Sequence, residues 1–225
     1  MLVRLLCLAT LLLPVSALAQ AMGEEAKVCN DVGLSGFDYD EYRAREWPQE
    51  AQRIKGDAPN VARQDNRLRL EIDGGKVVDL YDCLNGDGSY GYLYERYDGP
   101  GGFYVVGTPA YEDFYYTLVM KKTGKTFAIP ALPVWSPDRS RFAYAVCTLL
   151  NARAQIAVMG MVGGQPKLQG EVPLPCISLG GCRIVWESNT VVSADCHAHP
   201  GQASSRELVR LTRQGESWMA TTSNR

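Results

Sequence analysis

Histidine is scarce in this sequence: its 225 residues include two, His197 and His199. Any Ser-His-Asp triad would therefore depend on one of these two imidazoles as its base. The chain also lacks a G-x-S-x-G nucleophile motif and a Walker-type phosphate-binding loop. No two cysteines have the C-x-x-C spacing that is typical of a zinc cluster. These absences leave the sequence without a recognisable catalytic constellation, and we expect no cofactor.

An excess of one charge and long apolar runs are missing as well. Lys and Arg number 23 against 25 Asp and Glu, a net charge of −2, and the basic residues are scattered. A near-neutral chain gives no electrostatic reason to expect a nucleic-acid partner or an anionic membrane surface. No segment approaches the roughly 20 apolar residues of a membrane-spanning helix, so we expect no stable membrane insertion.

Residues 1–19 have the pattern of a secretory signal peptide. Arg4 precedes an apolar run from Leu5 to Val15, and the small residues Ala17-Leu18-Ala19 follow. A short basic head, an apolar centre too short to span a membrane and an A-x-A cleavage site are the parts of such a signal. We therefore predict that the protein is exported and is periplasmic or secreted.

The number of cysteines agrees with export. Beyond the predicted signal the count is even, which favours disulfides in an oxidising compartment. Cys176 and Cys182 are close enough in sequence to close a local loop, but the sequence does not fix the pairing. The cysteines expected to form disulfides are Cys29, Cys83, Cys147, Cys176, Cys182 and Cys196.

The remaining chain divides at Asn66. Residues 20–65 are rich in charge and poor in β-branched side chains, and short helices are predicted over Glu41–Glu46 and Pro48–Ile54, since Pro is accepted in a first helical turn. Residues 66–225 consist of about thirteen short alternating segments separated by turns, without helical periodicity. This pattern predicts an all-β domain built as an antiparallel meander.

Residues 134–146, VWSPDRSRFAYAV, combine a compact turn with an alternating strand. Proline presets φ at the second position of a turn, and Ser or Asp side chains bond the amides of the turn. A shorter copy, VWESNTVVSA, lies at 185–194. It contains Trp186, which follows Trp135 at a distance of 51 residues. The segment resembles the WD40-like repeat of the exported TolB-type β-propeller proteins. The matching residues are Trp135, Ser136, Pro137, Asp138, Phe142, Ala143 and Tyr144, while Arg139 stands where that repeat usually has Gly or a polar residue.

The resemblance implies blade-like antiparallel sheets that form a small or incomplete β-propeller. A β-sandwich made from the same hairpins is the structural alternative. The resemblance also implies a scaffolding role, in which the protein binds another protein of the cell envelope.

Two sets of residues are candidates for a binding site. Asp195, His197 and His199 are spaced two apart, so on a strand their side chains would share one face, as a metal site requires; a surface loop with solvated imidazoles is the alternative. Aromatic residues crowd positions 90–116. Strand alternation turns one set outward, and the candidate binding face is Tyr92, Tyr94 and Tyr115; packing in the core is the alternative for many of these rings.

Three functions fit these observations. The first is a non-enzymatic binding or scaffold module of the envelope, with an inhibitor- or immunity-like protein as a special case. The second is a metal- or carboxylate-dependent hydrolase that acts on envelope polymers, because two of the many acidic residues could converge in the fold. The third is a purely structural surface protein. The oligomeric state does not follow from the sequence.

Overall fold

The computed structural model describes residues 39–82, 91–109, 114–146, 154–174, 182–197 and 206–224. Two short helices come first, α1 over Tyr39–Glu46 and α2 over Glu50–Asp57. They correspond to the two helices predicted in the polar N-terminal segment. α1 ends just before Trp47, because the residue that precedes a proline is disfavoured in the helical region. Glu50 opens α2, where a carboxylate is favourable at the positive end of the helix dipole.

Fifteen strands in the described residues form four antiparallel sheets, and within each sheet the strands are neighbours in sequence order. The all-β meander predicted from the sequence is therefore confirmed. The first sheet contains β1 (Val61–Gln64), β2 (Arg67–Ile72) and β3 (Lys76–Tyr81); the second, β4 (Leu93–Asp98), β5 (Phe103–Pro109), β6 (Phe114–Met120) and β7 (Thr126–Ile129); the third, β8 (Val134–Trp135), β9 (Arg141–Val146), β10 (Gln155–Val162) and β11 (Gln165–Pro173); the fourth, β12 (Cys182–Ser188), β13 (Val191–His197), β14 (Arg206–Gln214) and β15 (Ser217–Asn224).

Alternation of apolar and polar side chains explains the strands of the first sheet. In β2 the residues Leu68, Leu70 and Ile72 are buried, while the residues between them face outward. The hairpin from β2 to β3 turns at Gly74 and Gly75, which both have positive φ, 81° and 69°. Glycine adopts this backbone conformation without steric penalty, so the GG pair fixes the register of the hairpin.

Each sheet packs face to face on the next one. Three buried clusters lie between the first and second, the second and third, and the third and fourth sheets. The two central sheets are consequently covered on both faces, and β5 in the second sheet is buried along almost its whole length. This explains why β5 reads as a continuous apolar run and not as an alternating one. The clusters contain, in chain order, Leu70 with Tyr104 and Val119, Phe103 with Phe142 and Ala157, and Val158 with Val192 and Leu211.

Trp135 and Trp186 hold equivalent positions, each in the first strand of its sheet. The Trp135 indole N–H donates to Asp98 Oδ2 (2.7 Å), and the Trp186 indole N–H donates to the Val134 carbonyl oxygen (2.9 Å). In both cases the acceptor lies in the first strand of the preceding sheet. Each indole meets an aromatic ring of its own sheet edge to face, Phe142 for Trp135 and Trp218 for Trp186. Trp135 in addition stacks on Phe103 of the second sheet.

The turn that follows Trp135 is held by its own polar side chains. The buried Ser136 hydroxyl donates to Asp138 Oδ1 (2.7 Å), and the Ser140 amide donates to the same oxygen (3.0 Å). These two hydrogen bonds lower the pKa of Asp138 below its ordinary value. The Asp138 amide donates to Asn189 Oδ1 (3.0 Å). Asp138 and Asn189 each lie three residues after their Trp, so the two turns of the third and fourth sheets contact each other at matching positions.

Arg139 adopts a backbone conformation that favours glycine, with φ of 57° at an exposed position. A left-handed conformation costs a non-glycine residue about 1–2 kcal/mol, while glycine gives back about 0.5–1 kcal/mol through the entropy of the unfolded chain. We expect Arg139→Gly to raise the free energy of unfolding by about 0.5–1 kcal/mol in urea titration. Arg139→Ala keeps the strain and is the control. Equal stability of the Gly and Ala variants would contradict this explanation.

Candidate functional site

The predicted metal ligands are only partly within the described residues. Asp195 and His197 alternate with Cys196 along β13, as expected, and Cys196 faces the core between the third and fourth sheets. Asp195 Oδ1 is buried without a hydrogen bond. The side chain of His197 and the whole of His199 lie outside the described residues. Within the described ranges no three His, Cys, Asp or Glu side chains are grouped as metal ligands would be.

The predicted tyrosine face is not an exposed surface. Tyr92 and Tyr94 are 4% and 0% exposed and lie in the core between the first and second sheets, and Tyr115 is half-buried. The Tyr94 hydroxyl donates to Asp57 Oδ2 (2.6 Å) in α2. Burial raises the pKa of the Tyr94 hydroxyl and is the larger cause, and the hydrogen bond with the Asp57 carboxylate raises it further. Tyr94 lies in β4, where the adjacent Leu93 is buried as well, and the first sheet covers the side of the strand on which Tyr94 was expected to bind a partner.

Of the predicted disulfide cysteines, Cys182 and Cys196 lie within the described residues, and Cys29, Cys83, Cys147 and Cys176 lie outside them. Cys182 and Cys196 are directly opposite each other in the β12–β13 ladder. Their Sγ atoms are 2.6 Å apart. The pairing of the cysteines stays a prediction.

A buried cluster of four charged residues joins the helices to the sheets. We call Arg43, Glu50, Arg63 and Asp82 the ion cluster. Glu50 accepts from Arg43 (2.8 Å) and from Arg63 (2.7 Å). Asp82 pairs with Arg43 and lies 3.4 Å from Arg63. All four side chains are less than 10% exposed, and their two positive and two negative charges cancel.

Backbone groups complete the ion cluster. The Tyr92 amide donates to Asp82 Oδ1 (2.7 Å), and the Tyr94 amide donates to Glu50 Oε1 (2.8 Å). Arg63 donates to the Tyr92 carbonyl oxygen. Each carboxylate thus bonds two guanidinium groups and one amide, which is how a buried charge is tolerated. The cluster therefore fixes α1, α2 and the start of β4 against the first sheet.

A cleft of about 560 Å³ lies beside the helices, with Trp47 and Ile54 on its walls and parts of the ion cluster at its base. The Arg43 guanidinium lies 5.5 Å from the centre of the Trp47 ring. The charged groups at the base bond one another and the backbone. The charged side chains in the described lining are Arg43, Arg63 and Glu50, and both arginines pair with Glu50, which is the arrangement of a structural joint.

An apolar groove of about 440 Å³ lies where the second, third and fourth sheets meet. The residues that line it come from β6, the segment after β7, β8, β9 and β12. No Asp, Glu, His, Lys or Arg is among the described residues that line it. These residues are Phe114, Tyr116, Pro130, Ala131, Leu132, Val134, Ala145, Cys182 and Ile184.

Two large side chains in the apolar groove are open to solvent. Phe114 and Val134 are each 38% exposed. The Phe114 and Tyr116 rings share one face of β6, with centres 5.0 Å apart. Burial raises the pKa of the Tyr116 hydroxyl, and the nearby Glu95 acts in the same direction. The groove therefore has the composition of a site for apolar side chains, because water leaves such a surface with a gain in free energy.

The sequence pattern does not predict the apolar groove. Its residues come from four separated parts of the chain, and only folding brings them together. Two local signals were present: the alternate aromatics of FYY at 114–116 and the apolar IPALPV at 129–134, which ends in a strand of only two residues.

Comparison with known proteins gives no family for this chain. No protein-family model matches it, and a search of the curated proteins finds no significant match. In the described part of the chain, neither helix has the length and apolar character needed to cross a bilayer.

Proposed function

We propose that this protein is a non-enzymatic binding module of the cell envelope that holds an apolar segment of a partner protein in the apolar groove. The observation that carries the proposal is the groove itself, with exposed Phe114 and Val134 among described lining residues that include no Asp, Glu, His, Lys or Arg. Apolar and aromatic side chains in a concave setting supply most of the energy of protein recognition. The signal-like N-terminus supports an envelope location.

We further propose that the four sheets are the blades of a small or incomplete β-propeller. Sequential meander sheets that pack face to face are the architecture of propeller blades. The indoles of Trp135 and Trp186, each bonded to the first strand of the preceding sheet, support a repeat. The alternative is a sandwich-like stack. A diffraction structure in which the first and fourth sheets belong to one packed stack with the two central sheets would favour that alternative.

A pair of matched substitutions tests the proposed function. Val134 in the groove and Val77 in β3 are both 38% exposed, and Val77 lies outside the groove. We expect Val134→Asp to weaken binding of the envelope partner at least about tenfold, because the carboxylate would be desolvated without a counter-charge. Val77→Asp should bind as the wild type does.

Tagged wild type and both tagged variants are first used to capture partners covalently from a periplasmic extract. The recovered partner protein is then titrated with each of the three proteins, and its affinity for each is measured. A partner that Val134→Asp binds as tightly as the wild type, or that Val77→Asp loses, would overturn the assignment of the groove. Circular dichroism of each variant provides the check on folding.

A further inference from the structure

β15 (Ser217–Asn224) is an open edge of the fourth sheet. It pairs with β14 on one side, and among the described residues no strand pairs with it on the other. Edge strands expose unpaired N–H and C=O groups, and proteins protect them by short length, charge or proline. Every other edge strand of the four described sheets is at most four residues long or contains a charged residue or a proline. β15 has eight residues, SWMATTSN, and none of these protections.

The backbone of β15 presents alternate residues to the open edge. The Arg213 amide donates to the Thr190 carbonyl oxygen (2.8 Å), on the side of β14 that faces β13. Arg213 is therefore in a non-hydrogen-bonded pair with Trp218 of β15, and the N–H and C=O groups of Trp218 point away from β14. The same orientation recurs at every second residue, hence at Ala220 and Thr222. The side chains of these two residues are exposed, so the edge is open to another strand there.

A second copy of β15 is complementary to this edge. Two identical strands pair antiparallel about a two-fold axis that is perpendicular to the sheet. With the axis at Thr221, the Ala220 of one copy and the Thr222 of the other form a hydrogen-bonded pair, which satisfies the exposed edge groups of both. Thr221 then lies opposite its own copy, and a cross-strand Thr–Thr pair is favourable, while like charges opposite each other are destabilising. Because β15 contains no charged residue, no like charges meet along this pairing.

We propose that the protein forms a homodimer in which the β15 strands of two copies pair antiparallel and join the two fourth sheets into one continuous sheet. The contact uses the same surface on both copies, so it closes at two. β15 contributes no residue to the described lining of the apolar groove, so the dimer does not depend on the proposed function. Pairing of β15 with β12, the other edge of the fourth sheet, would instead add copies without limit. β12 is protected by the exposed charges of Arg183 and Glu187.

Sedimentation of the purified protein over a range of concentrations tests the dimer. We expect wild type to show a monomer–dimer equilibrium. Thr221→Lys places two ammonium groups opposite each other at the axis, so it should raise the Kd of the dimer at least about tenfold. Ala220→Pro should do the same, because it removes an N–H group that the pairing with β14 does not use. A wild type that stays monomeric, or that grows beyond dimers, would overturn the proposal.

Val77→Lys is the matched control. It places the same charge at an exposed position of β3, an edge strand of the first sheet, and should dimerise as the wild type does. A dimer that Val77→Lys weakens as much as Thr221→Lys does, or that neither β15 variant weakens, would overturn the assignment to β15. Circular dichroism shows whether each variant folds. Thr221 is exposed, so Thr221→Lys decides the question if Ala220→Pro does not fold.

Hydrogen exchange locates the contact in the dimer. The amides of Ala220 and Thr222 point away from β14, so pairing with a second copy is what should protect them. We expect both amides to be protected in wild type at concentrations where it is dimeric, and to exchange rapidly in Thr221→Lys. Rapid exchange of both amides in a wild-type dimer would show that the copies meet elsewhere and would overturn the proposal.

Discussion

Replacement of Arg63 by alanine is expected to lower the free energy of unfolding by about 3–5 kcal/mol. Arg63 is one of two guanidinium groups that neutralise the Glu50 and Asp82 carboxylates, and these carboxylates are 5% and 1% exposed. Without Arg63 the ion cluster carries a net negative charge away from water. Loss of one partner from a buried ion group is costly because the remaining charge has lost its solvent and its counter-ion.

The matched control is Arg53→Ala. Arg53 pairs with Glu95 at 2.7 Å, but its side chain is 36% exposed. An exposed ion pair contributes about 0–1 kcal/mol, so this variant should unfold at nearly the urea concentration of the wild type. Similar losses in the two variants would contradict the role assigned to the ion cluster. Circular dichroism at increasing urea concentrations measures both.

Replacement of Phe103 by alanine is expected to lower the free energy of unfolding by about 3–5 kcal/mol through the cavity that it leaves. Phe103 is fully buried between the second and third sheets, where its ring stacks on Trp135 and meets the edge of Phe142. Gly101 packs against the same ring and leaves no space for a side chain of its own. The site is thus closely packed on several sides, which limits collapse around the cavity.

Phe114→Ala is the matched control for Phe103→Ala. Phe114 is 38% exposed and lines the apolar groove, so its removal should cost no more than about 1 kcal/mol of stability. The same variant should bind the envelope partner more weakly than the wild type. A loss of stability as large as that of Phe103→Ala would show that the groove residue belongs to the core. Urea titration and partner titration on one preparation measure the two effects.

The strands could be predicted from the sequence wherever alternation and turns coincide. β2, with Leu68, Leu70 and Ile72 inward and a GG turn after it, is such a case. β8 has two residues between a proline and the Ser-Pro turn, too few to show any period. The sequence pattern does not indicate β1 (Val61–Gln64) either, since this strand lies inside the charged segment for which polar, helical structure is predicted.

The candidate site could not be predicted in the same way, for a physical reason. Alternation assigns residues to two faces of a strand, but it does not say whether another sheet covers the second face. Tyr94 and Phe114 are both aromatic strand residues, yet one is fully buried and the other is exposed in the groove. The packing order of the sheets decides this difference, and that order depends on contacts between residues far apart in the chain.

Hydrogen exchange of the protein with and without its recovered partner tests the central claim most directly. We predict that added protection is confined to the groove segments 114–116, 130–134 and 182–184. Protection confined to the last strand of the fourth sheet, where Met219 is exposed, would contradict the claim, as would a complex that protects none of the three segments.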